Sequence, residues 1–158
     1  MKIDIYNHVT PMRYLDMLKQ HSKDPGIAKR ISGVRLLWDI EARVGMLDQF
    51  PDVQQVLTLA LPPPEILGGP DLSPELARIA NDGMVEMCRK WPDKFPAFGA
   101  ALPMNNVRAA LLEMDRAITK LGARGIQICT NVAGGPLDEP EFFPIFERVT
   151  RHHDMPIW

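Results

Sequence analysis

Segments with strand periodicity alternate with amphipathic helical segments along the whole chain, and this alternation limits the choice of fold. Strands are predicted at residues 1–8, 53–60, 95–103, 125–130 and, just beginning, 155–158. Helices are predicted at residues 10–20, 39–49, 73–90, 105–121 and 141–153, with a loop at HSKDPG after the first helix. Successive strands joined through helices need crossover connections, so we expect a mainly parallel sheet with helices packed against it.

Two α/β architectures satisfy this order: an open doubly wound sheet, or half of an eight-stranded barrel. A nucleotide-binding doubly wound domain carries a glycine-rich phosphate loop directly after its first strand. Here that segment reads HVTPMRY and contains no glycine. Nucleotide binding of this kind is therefore disfavoured, and the choice between open sheet and barrel needs more specific motifs.

The composition is that of one globular domain, residues 1–158, with 46% hydrophobic and 24% charged residues. Its formal net charge of -2 provides no positive surface for nucleic acid. The start, MKIDIYNHVTP, lacks an apolar leader with a cleavage site, and no apolar run approaches the roughly 20 residues of a membrane span. We predict a cytoplasmic protein with no nucleic-acid or membrane partner. Cys88 and Cys129 lack metal-type spacing and are predicted to be reduced core thiols.

The first strand shows its periodicity most clearly. Ile3 and Ile5 fall on one face, and Asp4, Tyr6 and His8 fall on the other. We therefore expect the three polar side chains to point into the sheet's inner side together, with Asp4 either supporting a site there or bonding within the barrel floor.

Four segments carry more specific patterns: MKIDIYNHVTP, LWDIEARVGMLDQF, KWPDKFPAFGAALPMNN and GIQICTNVAGGPLDEPEFFPIFE. In this order they resemble the motifs of the amidohydrolase family, most closely its carboxymuconate-semialdehyde decarboxylase branch. The first segment resembles the family's aliphatic-Asp-aliphatic-His-x-His strand. The resemblance covers nearly the whole sequence but only about the first half of the family's domain.

The resemblance implies a (β/α)8 TIM barrel, present here as an N-terminal half of about four βα units and the start of strand five. It also implies a divalent metal, usually zinc. Members of this branch decarboxylate aromatic or unsaturated carboxylic acids, or hydrolyse or hydrate them, and the metal activates water or stabilises negative charge as carbon dioxide leaves. We therefore expect a metal-dependent decarboxylase or hydrolase acting on a small carboxylated substrate.

The resemblance places His8 at the second family histidine and Tyr6 at the first. Such a pair at i and i+2 of a strand lies about 6 to 7 Å apart and can hold one metal ion. His8 is accordingly the predicted metal ligand, with Tyr6 beside it. A phenol whose pKa is near 10 is a poor ligand unless the metal deprotonates it. The next family histidine would lie just past Trp158.

Three further residues are predicted to bind the substrate carboxylate. Arg43 follows the Trp38-Asp39 motif, and an arginine there could pair with a carboxylate through two hydrogen bonds. Gln127 lies on the fourth predicted strand and Asn131 at its exit, where the family's barrel places its active site.

Two other classes of protein stay open. The tyrosine in place of a histidine and the missing later ligands favour a truncated or degenerate paralogue that binds a small acid or another subunit without turnover. An independent flavodoxin-like domain is the third reading, and strands out of sequential order would indicate it. A half barrel leaves two sheet edges with unpaired backbone groups, so we also expect a homo-oligomer.

Overall fold

The strands form a series of parallel neighbours. The computed structural model describes residues 1–158 and contains, in chain order, β1 (Lys2–Val9), β2 (Val53–Leu59), β3 (Ala97–Phe98), β4 (Ala100–Ala101), β5 (Ile126–Gln127), β6 (Asn131–Val132) and β7 (Gly135–Pro136). The pairs β1–β2, β2–β3 and β4–β5 are all parallel, as predicted, and Ile126 makes a further parallel bridge to Ile157. The pair β6–β7 is a short antiparallel hairpin.

The predicted third strand is one extended segment that changes partner at Gly99. The Gly99 N–H donates to the carbonyl of Leu57 at 2.9 Å, and the next N–H, of Ala100, donates to the carbonyl of Gly125 at 2.9 Å. The segment therefore joins β2 to β5. Neighbouring strands follow one another in sequence order from β1 to Ile157, which is the arrangement of a barrel and not of a flavodoxin-like sheet.

Helices fill the connections between the strands. They are α1 (Met12–His21), α2 (Pro25–Gly33), α3 (Arg35–Trp38), α4 (Ile40–Leu47), α5 (Pro64–Leu67), α6 (Ser73–Lys90), α7 (Val107–Arg116) and α8 (Phe143–Glu147). A 3-10 turn precedes α8, and π-helical turns extend α7 to Leu121 and α8 to His152. None of the helices combines the length and the apolar character that crossing a bilayer requires.

Helix α2 lies where the sequence analysis places a loop and no helix. The Asp24 side chain accepts a hydrogen bond from the Gly26 N–H at 2.7 Å, and Pro25 occupies the first helical position. Both features stabilise a helix start. The Asp-Pro-Gly segment therefore begins a helix, although its composition is also typical of a turn.

The core lies between the helices and the outer side of the strands. The predicted apolar stripe of α6 is confirmed, since Leu76, Ala80 and Met84 are fully buried. Gly83 lies in that stripe against Pro11, where an added Cβ would come within 2.4 Å of the proline Cβ. Helix α1 therefore packs closely on α6 at this glycine.

A bulge in β1 changes which side chains share a face. Asp4 lies opposite Gln55 and His8 lies opposite Thr58, and the register shifts between Asp4 and Asn7. Paired residues of parallel strands point to the same side, and Gln55 and Thr58 are an odd number of positions apart on β2. Asp4 and His8 therefore point to opposite faces. The prediction that Asp4 shares the face of His8 is wrong because the bulge inserts one residue.

Candidate functional site

A cavity of about 780 Å³ opens at the carboxyl ends of the strands. Its walls come from β1, from the end of β2 and the prolines after it, from α2 and from the segment that follows β5. The lining residues include Tyr6, His8, Arg30, Gln127, Asn131 and Trp158. The carboxyl ends of parallel barrel strands are where loops converge into active sites. The volume is in the range of small-molecule sites, about 300 to 1,000 Å³.

His8 is held in one tautomer by Thr58. The Thr58 hydroxyl donates its single hydrogen to the carbonyl of Asn7, so its oxygen accepts the bond that joins it to His8 Nδ1 at 2.8 Å. Nδ1 therefore carries the proton of the neutral ring, and Nε2 keeps a free lone pair. Burial and the positive charge of Arg43 lower the pKa of His8, against a smaller opposing effect of Asp4. His8 is a neutral imidazole with one nitrogen free to bind a metal or a proton.

Tyr6 lies beside His8 in the same cavity, as predicted. The two rings are 5.3 Å apart between centroids and nearly perpendicular, at 70°. The Tyr6 side chain is 82% exposed. Its phenol is therefore open to solvent and presents a polar ring edge to any molecule in the cavity.

Trp158 contributes an aromatic wall to the cavity. Its indole N–H donates to the carbonyl of Ile5 at 3.1 Å, so the ring crosses from the last strand towards β1. The ring lies on Gly99 and Gly125, and a Cβ added at Gly125 would come within 2.1 Å of its Cζ3 atom. Glycine at these two strand positions makes room for the indole.

Arg43 lies outside the cavity, on the other face of the strands. It is 6% exposed, and its guanidinium donates to the Gln55 and Asn7 side chains and to the carbonyls of His8 and Leu36, at 2.7 to 3.2 Å. Gln55 in turn donates to Asp4 at 2.9 Å. This placement gives no support to Arg43 as a carboxylate-binding residue, because the side chain is buried and four of its five N–H donors are used within the fold.

Gln127 and Asn131 both line the cavity, and each is partly committed to the protein. The Gln127 amide accepts from the Leu59 N–H at 2.7 Å and donates to the Leu59 carbonyl at 2.9 Å, replacing strand pairing where β4 has left β2. The Asn131 oxygen accepts from the Gly134 N–H at 2.9 Å, within the hairpin turn. The Asn131 amide nitrogen and one N–H of Gln127 have no protein partner.

Arg30 is a cavity residue that the sequence analysis misses. It is exposed on α2. The cavity lining contains no other lysine or arginine. The ion pairs of the other arginines involve Arg35, Arg116, Arg148 and Arg151 but not Arg30. Recognising the Asp24-Pro25 helix start would have placed it one turn and a half into a helix beside the cavity.

Comparison with known proteins decides the family. A sequence model of the family described as amidohydrolase matches residues 3–157. The chain belongs to the amidohydrolase family. It is 28% identical to 2-amino-3-carboxymuconate-6-semialdehyde decarboxylase of Dictyostelium discoideum over 93% of this chain and 45% of that protein. It is 33% identical to gamma-resorcylate decarboxylase of Rhodococcus jostii over 78% of this chain and 40% of that protein.

Solved structures of amidohydrolase-family proteins share the fold. The 2,6-dihydroxybenzoate decarboxylase from Rhizobium superposes with a TM-score of 0.79 at 26% identity, over 99% of this chain and 48% of that one. The 5-carboxyvanillate decarboxylase of Novosphingobium aromaticivorans, complexed with manganese, gives 0.81 at 26% identity, over 99% and 49%. The chain therefore spans about half the length of the relatives it matches, which agrees with a partial barrel.

The donor set in this chain is smaller than a metal site of the amidohydrolase family needs. The chain contains no group of three His, Cys, Asp or Glu side chains close enough to hold one ion. His8 offers one imidazole nitrogen, with the Tyr6 phenol beside it. Stable zinc sites use three or four protein donors. These residues alone do not fit a metal, and an ion at His8 would need donors from outside them.

Proposed function

We propose that the cavity binds a small aromatic carboxylic acid and that the protein decarboxylates it. The observation that carries the proposal is the free guanidinium of Arg30 in the lining of an otherwise largely apolar cavity. An arginine presents paired donors that match the two oxygens of a carboxylate. Arg30 takes the place that the sequence analysis gives to Arg43.

The rest of the lining suits the ring of such an acid. Ile27, Ile31 and Ile66 supply apolar surface, and Tyr6 and Trp158 supply aromatic surface. Aromatic side chains pack on other rings in offset or edge-to-face geometry. A ligand that is flat, apolar over its faces and anionic at one end therefore matches the cavity.

The similar proteins favour decarboxylation over hydrolysis or hydration. They include decarboxylases of 2-amino-3-carboxymuconate-6-semialdehyde, of gamma-resorcylate and of 5-carboxyvanillate. Asn131 remains a proposed substrate-binding residue through its amide nitrogen, which has no protein partner, and Gln127 remains one through its place in the cavity wall. Asn131 lies at the exposed rim and Gln127 in the wall, so they would contact different parts of the ligand.

His8 is the proposed metal ligand, with Tyr6 as its neighbour, and further ligands would have to come from outside these two residues. Manganese is present in solved relatives, and zinc is the metal that the sequence resemblance implies. Either ion accepts a neutral imidazole nitrogen. The contribution of this chain is the orientation of His8 by Thr58, which leaves Nε2 free.

A non-catalytic binding protein is the second candidate, and Tyr6 favours it. A phenol stands where the resemblance places the first histidine, and a neutral phenol is a weak metal ligand. In that case the cavity would hold the same class of acid without converting it. A cytoplasmic location stays a prediction.

Binding is tested by calorimetry with 2,6-dihydroxybenzoate and with resorcinol, which lacks the carboxylate. We expect Arg30→Gln to weaken binding of the acid by about 10-fold or more, because a charge-assisted hydrogen bond contributes about 1.5 to 3 kcal/mol. Resorcinol binding should not change. Arg108→Gln, at an exposed position on α7, is the matched control. Equal affinity of the acid for the wild type and Arg30→Gln would contradict the proposal.

Turnover is tested separately from binding. The protein is incubated with 2,6-dihydroxybenzoate and Mn²⁺ or Zn²⁺, and the formation of resorcinol is followed by chromatography. Product in the presence of metal supports the decarboxylase. Tight binding without product in either metal supports the non-catalytic candidate.

We also propose that the chain associates with itself. β1 is paired on one side only, and its Ile3 and Ile5 side chains are 51% and 55% exposed. An unpaired strand edge with apolar side chains favours pairing with another chain. Sedimentation velocity should show a dimer or a larger species, and a single monomer boundary over a wide concentration range would contradict this.

A further inference from the structure

Glu65 is a buried carboxyl with an unsatisfied oxygen. It lies on the short helix α5, is 7% exposed, and its Oε2 atom has no hydrogen-bond partner. It takes part in none of the ion pairs of the chain. Burying a charge without a partner is strongly unfavourable, so a carboxyl in this position favours its neutral form.

A small void lies against Glu65 and is the size of one water molecule. Its volume is about 10 Å³, and Gln127 and Cys129 also line it. A single ordered water needs about 10 to 15 Å³ and at least two polar partners. The unpaired Oε2 atom of Glu65 can serve as one such partner. Gln127 can serve as the other, because only one of its two amide hydrogens is used, by the Leu59 carbonyl at 2.9 Å.

The same wall separates this void from the main cavity. Leu61, Pro63, Gln127 and Cys129 line both spaces. Glu65 therefore lines a space that shares part of its wall with the main cavity. A charge placed in the cavity acts on Glu65 through a short, mostly apolar path, where electrostatic effects are screened weakly.

We propose that Glu65 is a proton-linked group of the main cavity: a neutral acid that holds one water between itself and Gln127, and that binds its proton more tightly when the cavity contains an anion. Its role towards the ligand rests on the proposed function, whereas its link to Gln127 does not. Glu65 is thus a positioning residue, which acts on the ligand through the water and Gln127.

Glu65 changes charge near neutral pH, whereas its titratable neighbours Tyr14 and Cys129 do not. Burial raises the pKa of Glu65 to about 7, against the opposing effect of the backbone N–H groups of Glu65 and Met104. Burial and the Glu65 charge raise the pKa of Tyr14, whose hydroxyl donates to the Pro62 carbonyl at 2.8 Å, and they raise the pKa of Cys129. Both neighbours therefore stay neutral while Glu65 titrates.

The link is tested by nuclear magnetic resonance on the protein, following the Glu65 carboxyl carbon and the side-chain amide of Gln127 from pH 4 to 9. We expect both signals to titrate with one midpoint near 7. Glu65→Gln should remove this step from the Gln127 amide. Glu75→Gln, at an exposed position on α6, should leave it in place. A Gln127 step that persists in Glu65→Gln, or a wild-type carboxyl midpoint near the ordinary 4.5, would overturn the proposal.

The ligand half of the proposal is tested in the same titration with 2,6-dihydroxybenzoate or resorcinol added. The bound anion should raise the Glu65 midpoint, whereas resorcinol, which is uncharged at neutral pH, should not. A midpoint that does not move with the acid bound overturns this half. If the acid does not bind at all, the proposed function fails, and the Glu65–Gln127 link is still decided by the titration without ligand.

Discussion

Two arginines on either side of the same strands show how differently one side chain can be used. Arg43 is buried and makes four hydrogen bonds to protein atoms, whereas Arg30 lies at the edge of the cavity and pairs with no acid of the chain. A buried guanidinium that uses four of its five N–H donors on protein acceptors holds the fold together. One that is left free in a cavity is available to a ligand. The sequence motif pointed to the first, and the structure favours the second for binding.

The largest expected effect is on stability, at Arg43. Arg43→Met leaves the buried acceptors of Asn7, Gln55 and His8 without their donor. We expect the free energy of unfolding to fall by about 3 to 5 kcal/mol, as for the loss of one member of a buried charged network. Urea denaturation measures it. A loss below about 1 kcal/mol, the usual range for surface positions, would mean that the network is not structural.

The next effect is a pH dependence of stability due to Glu65. Its pKa is about 7 in the fold and 4.5 as the ordinary value, so the folded state binds more protons between these limits. The contribution of Glu65 to the free energy of unfolding is therefore fully present below about pH 4.5. It is lost as the pH rises through 7, by up to about 3 kcal/mol. His8 has the opposite effect, so its contribution to stability increases with pH. The reason is that its pKa is lowered in the fold, and the unfolded state therefore binds its proton more readily.

Glu65→Gln isolates the Glu65 part of that dependence. The variant should gain stability relative to the wild type as the pH rises from about 4.5 to 7, and the difference should be constant above 7. Denaturation at several pH values measures this difference. Parallel curves for the two proteins over the whole range would contradict the buried neutral carboxyl.

A smaller effect on stability is expected at Thr58, which bonds both to the His8 ring in the cavity and to the backbone of β1. Thr58→Val removes the bond to His8 Nδ1 and the bond to the Asn7 carbonyl. We expect a loss of about 1 to 2 kcal/mol of stability. Nitrogen chemical shifts of the His8 ring should also change from one tautomer to a mixture. An unchanged tautomer would show that another contact orients the imidazole.

The smallest effect on stability is expected at Arg30. Arg30→Met should change the free energy of unfolding by no more than about 0.5 kcal/mol, because the side chain is exposed and unpaired. The same urea denaturation measures Arg30→Met and Arg43→Met side by side. A loss of stability at Arg30 similar to that at Arg43 would mean that both guanidinium groups support the fold.

The order of strands and helices could be predicted from the sequence because periodicity and turn residues act locally. The parallel neighbours and the apolar stripe of α6 are confirmed. The bulge in β1 could not be predicted, since no residue type marks it, and it places Asp4 on the side opposite to His8. The helix α2 was missed because Asp-Pro-Gly is equally a turn signal.

The site was predicted in part for the same reason. Tyr6, His8, Gln127 and Asn131 do line one cavity, because strand ends of parallel neighbours meet there. Arg43 and Arg30 could not be distinguished from sequence, since both lie on helices between β1 and β2. Only the three-dimensional contacts show which guanidinium is already bonded.

The central claim is that Arg30, and not Arg43, meets the carboxylate of the ligand. The most direct measurement follows the Nε–H resonances of both arginines while 2,6-dihydroxybenzoate is added, with resorcinol as the uncharged control. We expect the Arg30 signal to shift with saturation and the Arg43 signal to stay in place. A shift of Arg43 with Arg30 unchanged would contradict it.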